Sequence, residues 1–312
     1  MNVAVIATVR NERASIDELI GSLVNQTRPP DEIVISDSDS DDGTRQRLDE
    51  LAATTHGMKV IGAPGDRSMG RNAAIAATSS DLVACIDAGC VAEPDWLEHL
   101  VAPFDLDSTT WVAGFYRPVG RSVLSTCIGL VMVWTPDAVD PATFLPSARS
   151  MAFSKAAWRD VGGFPEGMNF AEDTIFDERL LAAGHVAVFA GDAIVQWTPP
   201  ATLRSLAATS FRWGRGDGRA RNSRFYSKSR LALYTGTPVA ALVAASLFPP
   251  AVAVTVLPLA VDVAANTRGK YRHVGDRRKY LFIPLAQLIS TAAAVVGYLV
   301  GRSERAGRSE GR

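Results

Sequence analysis

The stretch VAVIATVRNERASIDELIGSLVNQTRPPDEIVISDSDSDDGT, residues 3–44, decides the fold. Asn2 to Val9 is a short apolar run rich in Val and Ile, suited to a parallel strand buried on both faces. Ile16, Leu19, Ile20 and Leu23 then recur at helical spacing, with Asp17 and Glu18 on the opposite face. Pro29 and Pro30 break the chain, and Glu32 to Ser36 reads as a second strand. Ser40 to Gly43 offers turn and cap residues for a helix carrying Leu48 and Leu51. Working outward, Lys59 to Gly62 is a third strand, Asn72 to Ala77 an Ala-rich helix, and Leu82 to Asp87 a fourth strand. This alternation predicts βαβ units and an α/β fold with a mostly parallel sheet flanked by helices. Right-handed crossovers place ligands beyond the carboxyl ends of such strands. The residues there are Arg10 to Arg13, Asp37 to Asp42 and Asp87 to Cys90, all polar and two of the three groups acidic.

Composition narrows the classes. Of 312 residues, 47% are hydrophobic and 21% charged, which describes a globular chain rather than a disordered one. A net charge of -1 gives no overall case for nucleic acid, and no known nucleic-acid-binding module appears, so nucleic acid is not an expected partner. Acids concentrate before position 110 and bases after 200, which points the second half towards a membrane surface or an anionic partner. Cys85, Cys90 and Cys127 come without a His cluster and read as reduced, buried thiols. Met1 leads into a strand with no basic n-region, so no signal peptide is expected and the catalytic part should face the cytosol.

The last third reads as a membrane part. Between Leu231 and Ala265 the only charge is Asp262, and Leu281 to Val300 contains none; each exceeds or matches the ~20 residues a spanning helix needs. Pro249, Pro250 and Pro258 interrupt the first segment. The basic stretch that follows (Arg268, Lys270, Arg272, Arg277, Arg278, Lys279) belongs on the cytosolic side by the positive-inside rule. A re-entrant hairpin with Pro249-Pro250 near its tip satisfies both facts. Two simple spans, or buried helices of a soluble domain, are the alternatives. The expected location is the cell membrane, with boundaries at 1–222 (1–110 and 111–222 as two parts), 223–303 for the basic stretch and membrane helices, and 304–312 as a polar tail.

The turn after the first strand, Thr8 to Arg13, holds no glycine. A dinucleotide fingerprint and a P-loop are therefore both absent. Acids at the strand ends can instead accept hydrogen bonds from a base or ribose, or hold a divalent metal on a diphosphate.

Five segments appear in order: VAVIATVRNE, LIGSLVNQTRPPDEIVISDSDSDDGT, GRNAAIAATSSDLVACIDAG, PSARSMAFSKAAWRDVGGFPEGMNFAEDTIFDERLLAAG and TSFRWGRGDGRA. From about Val3 to Asn222 the set resembles the GT-A-fold glycosyltransferases of family 2, which transfer a sugar from a nucleotide-diphosphate donor with inversion. The resemblance implies a Rossmann-like GT-A sheet followed by membrane-associated helices. It assigns Thr8, Asn11 and Glu12 to nucleoside binding, Asp37 to the base, and Arg71 and Asn72 to the donor; for Arg71 a solvated helix face is the rival reading. Asp87 falls where the family carries Asp-x-Asp and would contact ribose and a divalent cation (Mg²⁺ or Mn²⁺). Gly89 replaces the second acid, which puts metal dependence in question. Glu93 and Asp95 read as helix caps.

Asp173 is assigned as the general base and Glu172 as its helper, although an acidic pair at a helix start also complements the dipole. Arg212 and Trp213 match part of a Q-x-x-R-W element with Thr209 in place of Gln, and imply contact with acceptor or diphosphate, as for Arg215. Juxtamembrane bases facing anionic lipid are the alternative there. Gly214, Gly216 and Gly218 follow no strand and read as flexible. The expected partners are a UDP- or GDP-sugar, a lipid-linked or cell-envelope glycan acceptor, and the membrane. A weakly catalytic member that binds nucleotide sugar and scaffolds a partner is the alternative. A sugar-1-phosphate nucleotidyltransferase would need a Gly-rich basic loop that this chain lacks.

Overall fold

A computed structural model describes residues 1–105, 108–247 and 250–309. By its contacts the chain forms two compact units, one of residues 1–117 and 136–198, the other of 118–135 and 199–312.

The first unit is built on the βα alternation. β1 (Val3–Val9), α1 (Ile16–Val24), β2 (Glu32–Asp37), α2 (Thr44–Thr54), β3 (Met58–Gly62), α3 (Arg67–Ala77) and β4 (Leu82–Cys85) follow one another. Next come β5 (Cys90–Ala92), α4 (Trp96–Val101) and β6 (Trp111–Pro118). After the excursion 118–135, made by α5 (Val123–Met132), the unit resumes with β7 (Met151–Ser154), α6 (Lys155–Asp160), α7 (Glu172–Ala182) and β8 (Val188–Trp197). The sheet has eight strands in the order β3-β2-β1-β4-β7-β6-β8-β5. β3, β2, β1 and β4 are parallel, while β7 pairs antiparallel with β4 and β6, and β5 antiparallel with β8. The sheet is thus mixed, and the expectation of a mostly parallel one holds for its first half. Parallel neighbours need a helical crossover each, and the chain beyond β4 does not keep that rhythm.

Alternate residues of β1 enter two cores, one on each face of the sheet. Val3, Val5, Ala7 and Val9 join Ile16, Leu19, Trp96 and Leu97, whereas Ile6 joins Val34, Ile75, Phe153, Phe164 and Phe176. Phe176 anchors α7 by stacking on Phe164 at 4.2 Å between centroids and meeting Phe153 at 5.1 Å. Burial of each such ring stabilises by roughly 1.5–3 kcal/mol. All three cysteines are buried and free, as expected.

The second unit is helical: α5, α8 (Leu203–Ala220), α9 (Lys228–Leu247), α10 (Ala251–Thr267) and α11 (Lys279–Ser309). α8 and α11 lie side by side in the same direction. Ser210 bonds Ser290 at 2.9 Å, and further along Gly214 meets Ala294 and Gly218 meets Tyr298. A Cβ on Gly214 would lie 2.1 Å from the Ala294 carbonyl oxygen, and one on Gly297 2.1 Å from that of Phe211. The two backbones therefore touch, and only glycine permits it. This corrects the flexible reading of Gly214 to Gly218: they are helical, with their missing side chains used for packing. Arg215 and Arg219 both pair with Glu304, Arg215 Nε at 2.9 Å and Arg219 Nη2 at 2.6 Å, so Arg215 has a structural partner. α11 continues to Ser309, through the first residues of the expected polar tail.

α9 and α10 pack as a hairpin. Of the prolines expected at its tip, Pro250 is the N-cap of α10, and Pro249 lies outside the described residues. Among the described residues one helix segment, Lys279–Glu304, is long and apolar enough to cross a membrane.

Candidate active site

Arg71 is the hub of the site. Asp66 caps α3 by accepting from the Met69 N–H at 3.0 Å, and Gly70 brings the helix against the end of β1, where a Cβ would lie 2.5 Å from Thr8 Cγ2. The next residue, Arg71, is consequently buried, and the solvated reading fails. Its Nη2 bonds Asp87 Oδ1 at 2.7 Å and its Nη1 bonds Glu172 Oε1 at 2.6 Å, joining residues 101 positions apart. Asn72, expected to approach the donor, instead clamps the Gly162-Gly163 turn region. Its Oδ1 accepts from Trp158 Nε1 at 3.1 Å and the Phe164 N–H at 3.0 Å, and its Nδ2 donates to the Phe164 carbonyl at 2.9 Å.

Electrostatics separate the two carboxylates. Burial works to raise the Asp87 carboxyl, but Arg71, Arg149 and Arg67 outweigh it and hold Asp87 below its ordinary value. Glu172 is the more deeply buried, and burial prevails over Arg71 to push it up, with Asp173 adding to the rise. Glu172 therefore serves to hold Arg71 and the start of α7.

Asp173 is partly open. Its Oδ2 accepts from Ser147 Oγ at 3.2 Å and its Oδ1 from the Thr174 N–H at 2.9 Å. Both acids stand in the first turn of α7, so the dipole reading is also satisfied. Sequence reasoning missed Arg149. Its Nη1 donates to Ser147 Oγ at 3.2 Å, and its Cζ lies 5.2 Å from the Tyr116 ring centre and 5.1 Å from that of Trp197. The available signal was a cation inside the segment PSARSMAFSK, two residues before an apolar strand.

The expected nucleoside residues gather beyond β1 and β2, whose register sets Thr8 beside Ser36 and Val9 beside Asp37. Thr8 Oγ1 accepts from Ser36 Oγ at 3.1 Å. Asp37, buried, accepts from Ser40 Oγ at 2.5 Å. Asn11 Oδ1 accepts from the Asp41 N–H at 2.9 Å, while the Asn11 N–H donates to Ser40 Oγ at 2.9 Å. The Glu12 N–H donates to Thr44 Oγ1 at 2.8 Å. Asp42 accepts from the Arg13 N–H and from the Thr44 N–H at the start of α2, whose N-cap is Gly43. Glu93 pairs with Arg117 at 3.3 Å, and Asp95, at the N-cap of α4, makes no cap hydrogen bond, so neither caps as expected. Asn11 (φ 58), Asp39 (φ 52) and Ala171 (φ 63) adopt left-handed backbone, strain of order 1 kcal/mol or more each, concentrated in these loops and just before Glu172.

Arg212 and Trp213 lie on α8, in the second unit, whereas the acids above belong to the first. Arg212 Nη2 donates to Thr209 Oγ1 at 3.2 Å.

The donor set does not fit a firmly held divalent cation. Asp87 has one oxygen on Arg71, and Gly89, at φ 75, supplies no ligand. Among the described residues no three His, Cys, Asp or Glu side chains converge. Burial pushes the Cys85 and Cys90 thiols up to about 12, which keeps them protonated.

Residues 4–125, from β1 into α5 and including Thr8, Asp37, Arg71 and Asp87, match Glycosyl transferase family 2. That part of the chain is thus a family 2 glycosyltransferase domain. It is a glycosyltransferase of the GT-A fold. The enzyme is 23% identical over 223 residues to glycosyltransferase AglE of Haloferax volcanii, covering 69% of this chain and 72% of that one. It is 28% identical over 194 residues to the pre-mycofactocin glycosyltransferase of Mycobacterium tuberculosis, which is 59% of this chain but 40% of that protein. Its fold is shared with the mannosyltransferase PcManGT of Pyrobaculum calidifontis, solved in complex with GDP-Man and Mn²⁺. There the TM-score is 0.62 at 20% identity, over 96% of this chain and 87% of that one.

Proposed function

We propose that this glycosyltransferase is membrane-associated and inverting, and moves a sugar from a UDP- or GDP-sugar to a lipid-linked or cell-envelope glycan acceptor. The observation that carries the reading is the division of labour between neighbouring acids. Glu172 is buried on Arg71, whereas Asp173 is partly open and oriented by Ser147 and its own helix start. In this mechanism Asp173 removes the acceptor hydroxyl proton as that oxygen attacks the anomeric carbon. The bond from that carbon to the diphosphate oxygen breaks on the opposite face, which inverts the centre. A base so placed contributes on the order of 10²- to 10⁴-fold. Thr8, Asn11, Glu12 and Asp37 hold the nucleoside, and Arg212 and Trp213 serve the acceptor.

Membrane association is supported by α9 and α10, which expose Val239, Leu242, Val243, Val254, Leu257 and Val261. Exposed Lys228 precedes this surface and exposed Arg268 and Arg272 follow it, as bases at an anionic lipid surface do. α11 is the weaker candidate for insertion, since α8 alongside it carries Arg212, Arg215, Asp217 and Arg219. The hairpin is thus the inserted element, in a protein at the cell membrane with its catalytic domain cytosolic.

Labelled UDP- and GDP-sugars incubated with the purified protein and a membrane lipid extract test the reading. Label from at least one donor should move to the lipid phase. If every donor binds and none is transferred or hydrolysed, the protein is instead a scaffolding member, a reading that Gly89 favours.

A further inference from the structure

Transfer needs cationic charge at the leaving diphosphate, yet to hold a metal there Asp87 has one oxygen already on Arg71 and Gly89 stands where a second acid would be. What the site has instead is arginine. Arg71 spends both amino groups on Asp87 and Glu172. Arg149 bonds the Ser147 hydroxyl and lies against two aromatic rings, Tyr116 and Trp197. Ser147 in turn donates to Asp173, so one hydroxyl links this guanidinium to the proposed base. A guanidinium held against ring faces keeps its charge, is weakly hydrated, and presents a fork that matches phosphate oxygens. Asp87 and Asp173 are both among the charges that act on Arg149. A divalent cation at Asp87 would meet Arg71, whose Nη2 already holds Oδ1 at 2.7 Å, and the repulsion of Arg149 and Arg67, whose charges also act on that carboxylate.

We infer that Arg149 supplies the positive charge that meets the donor diphosphate, with Arg71 holding the acids in place, so that the donor binds without a divalent cation. This rests on the nucleotide-sugar reading above. Ser147 then couples the two halves of the reaction, because the arginine that neutralises the leaving diphosphate also fixes the hydroxyl that orients Asp173.

Calorimetric titration of UDP, GDP, UMP and GMP tests it, on the full chain in detergent, with EDTA or with Mg²⁺ or Mn²⁺. The preferred diphosphate should bind in EDTA within about threefold of its affinity with metal. Arg149→Ala should weaken diphosphate binding by about tenfold to a hundredfold and monophosphate binding by less than about threefold, with Arg149→Lys recovering part of the loss. Far-UV circular dichroism and the melting temperature identify any variant that fails to fold, in which case Arg149→Lys and the wild-type EDTA comparison decide. Diphosphate binding that disappears in EDTA and returns with Mn²⁺ overturns the inference, as does an Arg149→Ala variant that folds and binds UDP and GDP normally. If no nucleotide binds under any condition, the donor reading itself fails, and the inference with it.

Discussion

Replacing Asp173 with Asn separates chemistry from structure at the proposed base. The substitution is nearly isosteric, and the hydrogen bonds can be kept. The amide oxygen can accept from the Thr174 N–H, now 2.9 Å from Oδ1, and the amide nitrogen can donate to Ser147 Oγ, now 3.2 Å from Oδ2. The structural loss is the negative charge at the start of α7, about 0.3–1 kcal/mol. At roughly 2–4 °C per kcal/mol for a chain of this size class, the melting temperature should fall by no more than about 4 °C. The chemical loss is far larger. An amide cannot take the acceptor proton, so turnover should drop about 10²- to 10⁴-fold. At 1.36 kcal/mol per decade, the barrier rises by about 2.7–5.4 kcal/mol. The assay is initial-rate transfer at saturating donor, with nucleotide affinity measured separately; kcat should fall while donor binding stays within about threefold. A variant that melts like the parent and transfers within about tenfold of it refutes the assignment of Asp173.

Arg71→Ala strands the carboxylates of Asp87 and Glu172, the latter with a side chain 4% exposed, and should cost about 3–5 kcal/mol in denaturant unfolding. Adding Glu172→Gln should restore part of that, as coupled sites require. Gly297→Leu drives a side chain into the Phe211 carbonyl and should destabilise by at least about 1–3 kcal/mol, seen as a lower melting temperature; an unchanged value refutes the close α8–α11 approach. Leu242→Glu with Leu257→Glu, at positions 74% and 58% exposed, should leave folding intact and release the protein from anionic vesicles in flotation; Leu299→Glu on α11 should not. Asp87 is held below its ordinary value, so its contribution to stability is full above the unfolded value of about 3.9 and is lost as pH falls through the lower folded one. Asp87→Asn should remove that acid-side dependence from an unfolding titration.

The readable parts of the sequence were those where a residue's own pattern fixes its surroundings. β1 and α1 follow from period and apolar content, and the strand ends followed because a parallel strand exposes its loop at a known edge. The antiparallel half of the sheet was hidden because β5, β6, β7 and β8 find partners far along the chain, and no local period encodes that choice. The glycines of α8 were misread for the same reason. Gly214 and Gly218 weaken an isolated helix by about 1 kcal/mol each, and only the partner residues Ala294 and Tyr298, 80 positions on, turn that weakness into close packing.

Glu172 and Asp173 show where this limit bears on function. In the sequence they are one acidic pair with one set of possible roles. On a helix, successive residues point about 100° apart, so the first turns inward to Arg71 and the second turns towards Ser147. What distinguishes a structural acid from a proposed base is thus the buried arginine on one side, and Arg71 is fixed there by Gly70 packing on Thr8.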